Sequence, residues 1–154
     1  MNRITTFAII LITMCSCSAD KTAIQSRFAL ACAKGDLLMV REMLSSDKID
    51  INAMNGKVGP CLVSSSYNGH MDIVKLMLER NANINVRDEK GTTPLVNAVV
   101  GNKAEIVELL LLGGADPDLV VPDANGKPGD ITALKIARAK GNLEIVRLLE
   151  TRKN

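Results

Sequence analysis

This sequence predicts an all-α solenoid of stacked helix-turn-helix units, and three observations carry the prediction. The first is self-similarity at a spacing of 33 residues. Leu62 matches Leu95, Gly69 matches Asn102, Ile73-Val74 match Ile106-Val107, Leu76 matches Leu109 and Ala82 matches Ala115. A period of that length marks an array of small repeated units. The second is helical spacing inside each copy: Ile73, Val74, Met77 and Leu78 share a helix face, as do Ile106, Val107, Leu110 and Leu111. The third is punctuation. Gly35, Gly69 and Gly141 stand between the helical runs, where a left-handed turn is needed. Asn102 and Asn81 stand in where glycine is missing, and Asn is the next best residue for that conformation.

Each copy can be justified in chain order. The first runs through Ala29-Leu30-Ala31-Cys32, then Lys34-Gly35-Asp36-Leu37 and Met39-Val40, and ends at Asp50-Ile51-Asn52. Gly35 to Gly69 is 34 residues, a one-residue insertion. The second copy carries Ser64-Ser65-Ser66 in its first helix and Asn68-Gly69-His70-Met71-Asp72-Ile73-Val74-Lys75-Leu76 across its turn. The third opens with Gly91-Thr92-Thr93-Pro94-Leu95, where the missing N–H of Pro94 is harmless at a helix start. The fourth runs from Thr132-Ala133-Leu134 to Leu148-Leu149 and finishes polar, with Glu150, Arg152, Lys153 and Asn154. Asn102 to Gly141 is 39 residues, so about six extra residues sit in the loop before it, given a repeat period of about 33. One helix pair is too small to bury its own apolar face, so neighbours must share a core.

Composition narrows the function. The chain has 154 residues and a formal net charge of +2, too little for electrostatic capture of nucleic acid. Phe7, Phe28 and Tyr67 are its only aromatic residues, which excludes base-stacking platforms and aromatic-lined cofactor clefts. His70 is the single histidine, so a histidine-rich metal site is excluded. Ser64-Ser65-Ser66 has no neighbouring base to make a nucleophile. Asp116, Asp118, Asp123, Asn125, Gly126 and Asp130 crowd the long loop, but Leu119-Val120-Val121-Pro122 interrupts the alternation a calcium loop requires. The expectation is no enzyme, no cofactor and no metal.

Residues 1–19 read differently. Arg3 precedes an apolar stretch from Ile4 to Met14, followed by Cys15-Ser16-Cys17-Ser18-Ala19. A basic residue, a short apolar core and small residues are the parts of a secretory signal, and about 11 apolar residues are too few to span a bilayer. Met14-Cys15-Ser16-Cys17 resembles a bacterial lipoprotein box, which implies a cut before Cys17 and its lipidation. Cys17-Ser18-Ala19 also suits an ordinary signal peptidase, releasing a soluble chain at Asp20. Ser18 after Cys17, rather than Asp, favours the outer membrane by the same resemblance. The expected location is the periplasm or the outer membrane facing it, with the lipid as the only membrane attachment.

Gly-Thr-Thr-Pro-Leu at Gly91–Leu95, the phrase around Gly69 and Gly114-Ala115-Asp116 resemble the ankyrin repeat, a β-turn followed by two antiparallel helices. The resemblance covers 20–154 as an ankyrin-repeat domain, with repeats at 24–54, 57–87, 90–120 and 129–154 and hairpin fingers between them. The family's His after Leu is replaced by Val63, Val96 and Lys135, which removes a source of hydrogen bonding between repeats. His70 falls where the family has a capping His at the start of the second helix. The resemblance implies a protein-binding monomer that recognises a partner with turn tips and inner helices. The tip positions are Gly56, Lys57, Gly59, Glu89, Lys90 and Thr92; the inner-helix positions are Lys34, Tyr67, Asn68, Val100 and Lys140. Lys57, Tyr67, Asn68, Glu89, Lys90, Val100 and Lys140 are the partner-binding candidates, Tyr67 foremost because tyrosine is enriched in hot spots. The roles expected are binding or protection of a periplasmic protein, or immunity against an envelope-acting toxin.

Cys32 maps late in the first helix of repeat one and Cys61 early in that of repeat two. Five positions along a helix is about 7.5 Å. Added to an inter-helix separation of about 8–10 Å, this exceeds the roughly 7 Å that a disulfide tolerates between Cα atoms. Two free, buried thiols are therefore expected.

Overall fold

In a computed structural model, which describes residues 21–46, 48–54, 58–122, 127 and 129–152, the chain forms four antiparallel helix pairs. These are α1 (21–34) with α2 (Leu37–Leu44), α3 (Cys61–Asn68) with α4 (Met71–Glu79), α5 (Pro94–Val100) with α6 (Ala104–Leu112), and α7 (Ala133–Ala139) with α8 (Leu143–Thr151). The signal expected at 1–19, its Cys17, and Gly56, Lys57, Asp123, Asn125 and Gly126 lie outside the described residues. The inner helices α3, α5 and α7 stack on one another, and the outer helices pack α2 on α4 and α6 on α8.

A single strip of core follows from that stacking. It runs from Phe28 and Val40 through Ile73 and Met77 to Leu110, and ends at Ile145 and Leu149. Within each pair the chain reverses at a left-handed residue: φ is +81° at Gly35, +91° at Gly69, +70° at Gly141 and 58° at Asn102. Asn81, also at φ 58°, matches Gly114 at the end of the following repeat. Both asparagines thus take the conformation that their alignment with glycine implies. Helices α2, α5, α7 and α8 start at a short polar side chain that caps them. Asp36 accepts from Met39 N at 3.0 Å, Thr93 from Val96 N at 3.3 Å and Asn142 from Ile145 N at 3.1 Å.

Helices α3 and α5 pack closely, and the sequence permits it. Ser65 and Ser66 are completely buried, and their hydroxyls donate back to Leu62 O at 3.3 and 2.6 Å, so no polar atom is stranded. A Cβ on Gly101 would come within 2.3 Å of Tyr67 O, a contact only glycine allows.

Hydrogen bonding between repeats does not depend on the missing histidine. Asn52 Oδ1 accepts from Asn83 N at 2.8 Å, and Asn85 Oδ1 accepts from Asp116 N at 3.0 Å. Inside each finger Asp50, Asn83 and Asp116 accept from the N–H two residues on, at 2.9, 3.0 and 2.9 Å. One turn geometry thus repeats at each junction, and asparagine links it to the next. Arg87 Nη1 adds bonds to Gly91 O at 2.7 Å and Val120 O at 3.1 Å. In repeat one the Gln25 side chain joins the series, donating to Asp50 O at 2.7 Å and accepting from Asp50 N at 3.1 Å.

The cysteines overturn their expectation. Cys32 and Cys61 form a disulfide, with Cα atoms 5.4 Å apart. Two assumptions behind the free thiols fail. Cα atoms on the facing sides of two helices lie closer than the helix axes, by about 2.3 Å for each helix. The Cα separation is also shorter than the rise of about 7.5 Å assigned to the five-position offset, so α1 and α3 do not run side by side as the parallel rods that the estimate assumes at this point. The small buried side chains of α3 leave room for that approach.

The extra residues before repeat four are tied at their base by an antiparallel bridge, Val121 N donating to Ile131 O at 2.9 Å. Lys135 Nζ then pairs with Asp130. That ammonium, by hydrogen bond and charge, holds the Asp130 carboxyl below the usual carboxylate range.

Candidate protein-binding groove

Four of the candidate residues line one concave groove of about 660 Å³ between the inner helices and the finger of repeat three. Tyr67 and Val100 stand on its walls, 48% and 39% exposed, at the C-terminal turns of α3 and α5. Lys90 overhangs it from the turn, and Asn68 lines it beside Ala33 of α1. An exposed tyrosine and an exposed valine facing one hollow make an anchor site, because amphipathic aromatics bury well against a partner at low entropic cost.

The floor explains the departure from the family pattern. Val63 and Val96, which stand where the family's histidine would, are buried in the groove. Replacement of imidazole by isopropyl makes the floor apolar, and Val58 extends it. The site can desolvate apolar side chains of a partner.

The polar lining is already oriented. Asn68 Nδ2 donates to Ala33 O at 3.1 Å and to Ser64 O at 2.9 Å. Asn97 Nδ2 donates to Thr93 O at 3.0 Å and to Thr92 Oγ1. Asp88 Oδ1 receives Lys90 N at 3.0 Å and Thr92 N at 2.8 Å, and Oδ2 receives Thr92 Oγ1 at 2.7 Å. This network fixes the turn and leaves the Lys90 side chain as the cation over the groove; the ion pairs among the described residues are Lys135–Asp130 and Arg138–Glu150.

Asn68 is therefore more than a contact residue: it ties repeat two to the end of α1. His70 joins it there, its Nε2 lying 2.9 Å from the same Ala33 carbonyl, which requires the proton on that nitrogen. The histidine makes no side-chain cap for its own helix α4 and instead caps the C-terminus of α1, in the neighbouring repeat.

The remaining candidates are scattered. Glu89 is exposed at the turn tip outside the groove lining, and Lys140 is the C-cap of α7. Lys34 lines a separate depression at the N-terminal end. Lys57 lies outside the described residues. Val58, Asp88 and Asn97 were missed by inspection of the sequence; the valines at the histidine places were the available signal.

A groove carried on stacked helix pairs, with polar fingers and an apolar floor, defines a recognition scaffold. Comparison with known proteins specifies it further. The family description "Ankyrin repeats (3 copies)" matches residues 28–123 and, in a second placement, 62–153, and the chain belongs to the ankyrin-repeat family. It is similar to the ankyrin repeat protein YahD of Escherichia coli (strain K12), 37% identical over 128 residues. That similarity spans 79% of this chain and 60% of YahD. It is also similar to human BCL-6 corepressor-like protein 1, 31% identical over 118 residues, 77% of this chain and 6% of that protein. A third similarity is to human 2-5A-dependent ribonuclease, 48% identical over 59 residues, 38% of this chain and 8% of that protein. The chain thus spans under two thirds of YahD and small parts of the two human proteins. The family is in general a non-catalytic interaction fold, and this chain is a protein–protein interaction module.

Proposed function

We propose that this protein is an exported interaction module of the bacterial envelope, anchored by lipid at Cys17, whose groove binds a periplasmic protein and protects or scaffolds it. The observation that carries the reading is the hollow between Tyr67 and Val100 over a valine floor, an apolar anchor site bordered by the Lys90 cation. The disulfide supports export, because such bonds persist in oxidising compartments and are rare in the cytosol. The small-residue junction Ser16-Cys17-Ser18 supports lipid attachment.

Affinity capture from envelope extracts tests the reading, with Tyr67→Ala as the matched control. A protein retained by the native chain and lost by the variant is the expected result; equal retention by both would remove the groove from the account. A retained toxin would assign the immunity role instead of the protective one. Intact mass of the envelope-extracted chain tests the anchor: acylated Cys17 is expected, and an unmodified chain starting at Asp20 would exclude it.

A further inference from the structure

Cys32, Ala33 and Gly35, at the end of α1, tie that helix to repeat two in three ways. Cys32 is bonded to Cys61 of α3. Ala33 O accepts from Asn68 Nδ2 at 3.1 Å and from His70 Nε2 at 2.9 Å. The ring of His70 lies over Gly35, so close that a Cβ there would meet it at 2.6 Å. Carbonyls of a last helical turn have no partner within the helix, and Ala33 O finds its partners in the next repeat. Gln25, earlier in α1, bonds instead to Asp50 and so ties α1 to its own finger. The attachment at Ala33 is also a wall of the groove. Ala33 lines the hollow, as do Ser64 and Asn68, which share with Cys61 the stripe of α3 that faces α1.

Cys32 and Cys61 are both buried, so a reagent reaches their sulfurs only when repeat one opens away from α3. Opening of a single unit is open to repeat arrays, whose repeats are held by nearest-neighbour interfaces. A bond across a separation of 29 residues disfavours that opened chain by about 100- to 1,000-fold, through the chain entropy it removes. When the bond is cut, the two hydrogen bonds on Ala33 O, the Asn52–Asn83 link and the burial of Phe28 and Val40 remain to hold repeat one.

We propose that Cys32 and Cys61 form a redox gate on the groove: the disulfide holds the Ala33 wall against α3, and the dithiol form releases it. The proposal rests on the groove reading above and makes partner binding depend on the redox state of the compartment. Oxidation passes two electrons from the cysteines to a protein or small-molecule disulfide, each thiol losing one proton. A dithiol reverses it. Its thiolate attacks one sulfur, and the S–S bond breaks with its electron pair leaving on the other cysteine, which takes up a proton. The reagent's second thiol then closes the reagent's own disulfide and frees the first cysteine. In a reducing compartment the groove lacks a fixed wall; in an oxidising one the wall is locked in place.

Hydrogen exchange read by mass spectrometry tests the gate without a partner. After reduction by dithiothreitol, with the thiols of Cys32 and Cys61 confirmed free, amides at the end of α1 should exchange about 100-fold faster or more. Those of α7 and α8 should keep their rates. Cys32→Ala with Cys61→Ala should match the reduced chain and ignore dithiothreitol. Unchanged exchange in α1 would overturn the proposal, because packing would then hold the wall unaided. Equal acceleration in every helix would overturn it too, since the bond would then support the whole fold rather than the wall. In affinity capture, bait carrying the two alanines should retain the partner at least tenfold less than the oxidised chain, and equal retention would overturn the gate. Failure of the groove reading is detected separately, by Tyr67→Ala.

Discussion

The two ends of the stack are closed in different ways. At the N-terminal end α1 is bonded covalently to α3 through Cys32–Cys61, and Ala33 O receives Asn68 and His70 from the next repeat. At the C-terminal end no covalent link exists among the described residues. There Asn142 caps α8 and reaches Asn102 of repeat three, Arg152 donates to Leu111 O at 3.5 Å, and Arg138 pairs with Glu150 at 2.6 Å. A terminal repeat has half the neighbours of an internal one and the least packing to hold it. The first repeat compensates with a cross-link, the last with exposed polar closure, and the two devices differ several-fold in strength. The groove depends on the stronger end, since Ala33 and Asn68 both line it.

The largest effect expected is therefore at the cross-link. Replacing both cysteines by alanine opens a loop of 29 residues, for which chain entropy gives about 3–4 kcal/mol of lost stability. Urea unfolding should show it, and dithiothreitol should mimic it on the native protein. A loss below about 1 kcal/mol would mean that packing alone holds repeat one, far from the disulfide range of about 2–4 kcal/mol.

Next comes the groove at that end. Tyr67→Ala should weaken partner binding by about 2 kcal/mol or more, the scale of a hot spot, with thermal unfolding nearly unchanged. Titration calorimetry with the captured partner measures it. Unaltered affinity together with lost affinity after trimming the loop between Val121 and Ile131 would move recognition toward the C-terminal end. Lys90→Ala should act mainly on the association rate at low salt.

Smaller effects belong to the C-terminal closure. Asn142→Ala removes the α8 cap and should cost about 1 kcal/mol by thermal unfolding. Loss of three times that amount would show that the bond to Asn102 clamps repeat four nearly as well as the disulfide clamps repeat one. Arg138→Ala should change stability by no more than about 1 kcal/mol, and less in high salt, because the pair is solvent-exposed. A larger, salt-independent loss would erase the difference between the two ends.

The sequence by itself determined the period, the helices, the left-handed turn residues and the faces that pack. Those properties are local: glycine or asparagine at positions such as Gly69 and Asn102, and apolar residues at helical spacing, act within one repeat and recur in the next. It also placed Tyr67, Asn68, Lys90 and Val100 among the candidates, because position in a repeat determines position on the stack. Only the tertiary structure decided what depends on how neighbouring repeats sit against each other. The disulfide could not be read from the alignment, since a few ångströms of displacement between α1 and α3 decide whether two Cα atoms are bridgeable. The roles of His70 and Asn68 were hidden for the same reason, their acceptor belonging to the preceding repeat. The separation of Glu89 and Lys140 from the groove followed from stacking geometry, because residues equivalent in the repeat need not line one hollow.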